Sequence, residues 1–156
     1  MVISSELAAP VSEVWSHIAS LEGVNHELGP WFRMTAPAGT ELSPATVPLG
    51  QPWFRSWLLL LGVLPVDYDA LCIERIEAER GFLERSSMLS ARVWEHERTL
   101  EPLPAGGTRV SDRVEFVSRI RLTARLHRAV IRALFAHRHR RLRARFGVAG
   151  SAVLAG

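Results

Sequence analysis

Lysine is missing from this chain altogether, and all nineteen basic residues are arginine. Alongside the abundant Ala, Leu and Gly, that absence reads as GC-rich codon usage rather than as a functional signal. Cysteine occurs once, at Cys72, which excludes an intramolecular disulfide and points to a reducing compartment. No apolar run is long enough to span a bilayer; the longest, Trp57 to Val66, is interrupted by Gly62 and Pro65. The opening residues, MVISSELAAP, have no basic region and no long apolar stretch, so no signal peptide is expected. No glycine-rich phosphate loop follows a strand, and no Gly-x-Ser-x-Gly elbow occurs. A soluble cytoplasmic protein without a transmembrane segment is the expectation.

What is present is an ordinary globular composition, with 156 residues, 47% of them hydrophobic and 22% charged. Charge is unevenly placed. Residues 1–118 carry nine Arg against sixteen Asp and Glu, whereas residues 119–156 carry ten Arg and no acid. Residues 120–146, IRLTARLHRAVIRALFAHRHRRLRARF, are nevertheless more than a basic tail. At 100° per residue, Leu126, Val130, Ile131, Leu134, Phe135, Leu142 and Phe146 share one broad side. That describes an amphipathic helix of about seven turns, and it requires an apolar surface to lie on. Arg138 projects into the middle of the apolar side, so it must snorkel, pair with a buried acid or meet a ligand.

Earlier in the chain, residues 2–7 form a strand candidate. Pro10 opens a short helix carrying Val11, Val14, Trp15, Ile18 and Leu21, and residues 21–29 form a second, closed by Gly29-Pro30. Residues 31–35 read as a strand and residues 36–52, rich in proline and glycine, as a long loop. The run Trp53 to Leu61 reads as a buried strand. Four strands follow at about 68–78, 81–89, 92–102 and 108–118, the last two joined by a turn at Pro104-Ala105-Gly106-Gly107. One domain over residues 1–146 is expected, with a frayed tail over 147–156. The fold class is α+β, a curved antiparallel sheet of six to seven strands wrapped on the C-terminal helix, with a cavity between them.

Ala9-Pro10-Val11-Ser12-Glu13-Val14-Trp15 resembles the P-x-x-x-V-W opening of the first helix in the START-like (SRPBCC) superfamily, the helix-grip proteins. His96-Glu97-Arg98, then Gly107-Thr108-Arg109-Val110-Ser111-Asp112-Arg113-Val114, then Phe135 to Arg138 resemble a bacterial subgroup of it. The resemblance covers residues 1–146. It implies a fold shared by polyketide cyclases and dehydrases, plant ligand carriers and lipid-transfer domains, and so a ligand cavity rather than one chemistry.

Alternation within 92–102 places Trp94, His96, Arg98 and Leu100 on one face, and within 108–118 it places Val110, Asp112, Val114 and Phe116 together. His96, Arg98, Asp112 and Arg138 are therefore expected to converge beneath the helix. They could form an internal salt bridge pinning helix to sheet, or a polar end of the cavity for a ligand carboxylate, phosphate or enolate. Glu84 and Arg85 compete for the inward position on their strand. Trp57, Tyr68 and Trp94, with Trp31 and Trp53, are candidates to line the pocket. Cys72, between Leu71 and Ile73, reads as a small core residue. His137 and His139 lie on different sides of a helix, and His17 and His26 lack companions at zinc spacing, so no metal or other cofactor is expected.

The leading expectation is a binder of a small hydrophobic or aromatic molecule with one polar end. One alternative is a cyclase- or dehydratase-like enzyme with His96 and Asp112 as general acid and base and Arg98 or Arg138 stabilising an oxyanion. A second is a nucleic-acid or anionic-surface binder using the arginine-rich helix; its broad apolar side disfavours that. The sequence carries no signal of oligomeric state.

Overall fold

The structure, a computed structural model, describes residues 1–40 and 42–150. Strand β1 (Val2–Leu7) leads into two short helices, α1 (Val11–Ile18) and α2 (Leu21–Leu28). Strands β2 (Phe32–Met34), β3 (Pro52–Leu60), β4 (Leu64–Glu77), β5 (Gly81–Met88), β6 (Ala91–Pro102) and β7 (Thr108–Ser118) follow. A single 3-10 turn over Arg121–Thr123 then enters α3 (Ala124–Phe146). All neighbours in the seven-stranded sheet pair antiparallel, in the order β1-β7-β6-β5-β4-β3-β2. The sheet curls as a half-barrel around α3, which is the expected helix-grip architecture.

The two short helices are locked together before anything else packs on them. Ser20 caps α2 by accepting from Gly23 N at 2.9 Å. Gly23 lies so close to α1 that an added Cβ would stand 1.8 Å from the His17 carbonyl oxygen. Asn25 then ties α2 to β2 through two bonds with the Met34 backbone. One core cluster joins Leu7, Val14, Ile18, Leu100, Val110, Leu142 and Phe146, seating the end of α3 on β1, β6, β7 and α1.

Two expectations change. In α3 no residue before Ile131 is buried, and Leu126, assigned to its apolar side, is 67% exposed. The first turns overhang the sheet, Val130 and Leu134 roof a cavity, and Ile131 and Phe135 both line that cavity and pack on Trp94 of β6 and Val114 of β7. Residues 147–150 are not frayed. Gly147 takes a left-handed φ of 72°, Val148 bridges back to Leu7, and Ala149 N donates to the Glu6 carbonyl at 3.2 Å. The remainder of that tail, residues 151–156, lies outside the described residues.

Candidate functional site

Beneath α3 lies a buried ionic network. Arg98 on β6 stands opposite Asp112 on β7 in the strand register. Its Nε and Nη2 donate to Asp112 Oδ1 and Oδ2, both at 2.7 Å. Its Nη1 and Nη2 also reach Glu27 Oε1 and Oε2 at 2.9 and 3.0 Å. Arg138 Nε donates to Glu27 Oε2 at 2.9 Å. His139 lies between Asp112 Oδ2 (3.0 Å) and Ser5 Oγ (2.8 Å), and His96 Nε2 is 2.8 Å from Asp112 Oδ1. Burial would raise both carboxyls, yet the Arg98 charge holds Asp112 well below the usual range and, with Arg138, holds Glu27 below it. Burial likewise opposes the Arg98 charge, but Asp112 and Glu27 push its pKa above the ordinary arginine value.

Arg98 and Asp112, for which the sequence leaves both an internal salt bridge and a ligand contact open, line neither chamber of the adjoining cavity. Their hydrogen-bonding groups are consumed by one another, by Glu27 and by the two histidines. Arg138 does point inward, but its carboxylate partner is Glu27 and not Asp112. Glu27 was not singled out from the sequence. The signal available was its place beside Val24 and Leu28 on a short helix, within a chain that must bury two arginines.

The cavity has two chambers. The larger, about 240 Å³, lies between α3 and the sheet, walled by Phe32, Leu58, Trp94, Val130, Leu134 and Phe135 among others. The smaller, about 100 Å³, lies under α1, α2 and the proline-rich loop, against Leu42, Phe54, Leu71, Ile73 and Phe82. Both are lined by Met34, Glu84, His96 and Arg138. The polar groups therefore form a waist between two apolar lobes rather than one end of a single pocket.

At that waist hydrogen-bonding capacity is left over. Among the described residues, the two Nη nitrogens of Arg138 make no hydrogen bond, since only Nε is used. Glu84, 7% exposed, has Oε1 buried without a partner. Its Oε2 lies 3.8 Å from His96 Nδ1. Asp69, 4% exposed, has Oδ1 buried without a hydrogen-bond partner. Burial pushes the Asp69 carboxyl well above the usual carboxylate range, and the Glu84 charge pushes it further. Burial opposes the Glu84 anion too, but His96, Asp69 and Ser86 together hold it below its ordinary value. One carboxyl is thus driven toward its neutral form beside one that stays charged.

A second polar cluster lines the larger chamber eleven residues earlier on α3, about 16 Å along its axis at 1.5 Å per residue. There Ser90 Oγ donates to Asp67 Oδ2 and lies 3.3 Å from His127 Nε2. His127 Nδ1 is 2.8 Å from Ser118 Oγ. These contacts hold the overhanging first turns of α3 to the sheet.

Trp94 lines the larger chamber, as the alternation of β6 predicts. Trp57 and Tyr68 do not line either chamber. They face each other on the outer side of the sheet, ring centres 5.8 Å apart, with Arg55 over the tyrosine ring. Inward positions on β4 belong to Asp67, Asp69, Leu71 and Ile73. Cys72 consequently faces outward, half-buried, where burial raises its thiol pKa. Among the described residues no three His, Cys, Asp or Glu side chains are placed to hold a metal ion.

A family model described as a domain of unknown function, DUF8410, matches residues 5–146. No curated protein matches the sequence. Solved structures with the same fold include protein CV1439 of Chromobacterium violaceum, with a TM-score of 0.70 and 13% identity over 94% of this chain and 96% of that one. An aromatase/cyclase from a Streptomyces species gives 0.69 at 14% identity, covering 93% and 91%. A START superfamily protein from Mycobacterium smegmatis gives 0.67 at 11% identity, covering 94% and 95%. At such identities the likeness establishes the fold alone. The chain belongs to the DUF8410 family and carries the START/SRPBCC helix-grip fold.

Proposed function

We propose that this protein binds a small, mainly hydrophobic or aromatic molecule in the two-chambered cavity, with the molecule's polar group held at the waist. The carrying observation is that Arg138, buried and anchored through Nε, keeps both Nη nitrogens free where two apolar chambers meet. These donors remain reachable from the cavity, so a polar group of a bound molecule can accept from them in place of water. The apolar walls supply affinity by burial, and the few polar groups fix orientation.

Anilinonaphthalene sulfonate, an apolar body with one anionic group, is a suitable probe. Its fluorescence should rise on binding. Leu134→Trp, which fills the larger chamber, should abolish the rise, and Arg138→Gln should weaken it, both with unchanged circular dichroism. Binding that survives both changes would overturn the reading. Native mass spectrometry of the purified protein would reveal a retained molecule directly.

The same cavity supports a cyclase- or dehydratase-like reading, in which the site mainly holds a flexible substrate in one shape. In that reading His96, not Asp112, faces the substrate, and Asp112 acts only by fixing the His96 ring through the 2.8 Å contact.

A further inference from the structure

We infer that the mouth of the larger chamber is a docking surface for an anionic lipid bilayer, built from the β3–β4 hairpin tip and the first turns of α3. Val66 on β4 and Val130 on α3 both line that chamber, yet both remain exposed. The chamber therefore opens between the hairpin and the helix. The hairpin is unusual for a surface turn. Residues 58–66, LLLLGVLPV, contain no polar side chain, whereas turn tips are ordinarily built from Gly, Asn, Asp and Ser. Leu61 takes a left-handed φ of 50°, a conformation that favours glycine or asparagine. Val63 beside it is 79% exposed, and Leu61 and Leu64 are exposed as well. Trp31, also exposed, joins the same tip, its carbonyl accepting from Leu61 N at 2.7 Å. Neither packing nor turn geometry accounts for large apolar side chains at these positions.

Across the mouth, Leu122, Leu126 and Val130 recur every four residues, an exposed apolar stripe next to the chamber wall formed by Ile131 and Leu134. Arg121, Arg125, Arg128 and Arg132 occupy the adjoining side of the same turns. All four are exposed, and among the described residues none of their side chains forms an ion pair or a hydrogen bond. Residues 119–150 contain no acid. The arginines select a partner of negative charge, and the apolar rim selects one with an apolar interior. A nucleic acid would neutralise the arginines but leave the hairpin leucines in water. An anionic bilayer accepts phosphate contacts and apolar insertion together. Tryptophan and arginine then sit at the level of the headgroups, with leucine and valine deeper. Docked in this way, the chamber mouth faces the acyl region, and a sparingly soluble molecule passes between bilayer and cavity without crossing water. That passage rests on the binding function above; the docking does not.

The test is sedimentation of the full chain with phosphatidylcholine vesicles, with and without phosphatidylglycerol. Binding is expected to the mixed vesicles and not to phosphatidylcholine alone, and it should weaken as sodium chloride is raised. Arg125→Gln, Arg128→Gln and Arg132→Gln combined should lower partitioning about fivefold per arginine, on the order of a hundredfold in all. Leu61→Asn, Val63→Ser and Leu64→Ser combined should lower it roughly tenfold or more. These six side chains are exposed, so circular dichroism and Tm should stay unchanged in both variants. No binding to the mixed vesicles, or binding that the hairpin variant leaves intact, would overturn the proposal. So would equally tight binding to duplex DNA that depends on the arginines and not on the hairpin, which would assign these turns of α3 to nucleic acid. Anilinonaphthalene sulfonate without vesicles reads the cavity separately. If it fails to bind while the vesicles bind as expected, the binding function falls and the docking surface stands.

Discussion

Glu27 accepts from two arginines at once, three hydrogen bonds between 2.9 and 3.0 Å on one carboxylate with no exposed surface. Replacing it with Gln keeps the shape, removes the charge and turns one oxygen into a donor facing guanidinium N–H groups. Breaking a buried pair in this way typically costs about 3–5 kcal/mol. Glu27→Gln should lower the urea midpoint accordingly with little change in slope, and unchanged stability would show that Arg98 and Arg138 are satisfied elsewhere. Residue by residue, the sequence was informative where a polar group interrupted an apolar pattern. Asp112 between Val110 and Val114, and Arg138 between Phe135 and Leu142, were placed inside for that reason. Glu27 was not, because its partners lie 71 and 111 residues away and a glutamate on an eight-residue helix looks solvated. Glu84 could not be separated from Arg85 until the register paired Glu84 with His96.

At the scale of elements, α3 divides into an embedded part and overhanging first turns. Leu142 is fully buried in the cluster with Leu7, Val14 and Val110, whereas Leu126 is exposed. Leu142→Ala should cost about 2–5 kcal/mol, and Leu126→Ala less than about 0.5 kcal/mol; thermal melts of the two variants would separate them. Comparable losses would mean that the helix packs along its whole length. Helical periodicity alone gives one apolar side and cannot tell how far the sheet extends under it. Strand β4 shows a related limit. Tyr68 is the larger apolar residue, yet Leu71 and Ile73 set the inward phase. A bulge between Ile73 and Arg75 then keeps Ile76 inward as well. Placing Asp67 and Asp69 inside is the consequence, and alternation scored by hydrophobicity selects the opposite face.

Across the whole molecule, acidic and basic portions meet in the interior as well as at the surface, and the interior contacts should set the response to pH. Asp112 and Glu27 have folded pKa values below their unfolded ones. As pH falls, the unfolded chain takes up protons first. Their stabilising contribution is complete above the unfolded carboxylate range, near pH 4, and is lost as pH drops through the folded values. Asp69 has the opposite sign. Its folded pKa is raised, so its contribution is complete below the unfolded value and is lost as pH rises through the folded one. Stability should therefore pass through a maximum between these two limbs. Urea midpoints measured across pH should show both, and Asp69→Asn should flatten the upper limb while leaving the acid limb in place. Because the groups responsible are buried, sodium chloride between about 0.05 and 1 M should move the acid limb little. A limb that shifted strongly with salt would place the controlling charges on the exposed arginines of α3 rather than in the Glu27–Arg98–Asp112 network.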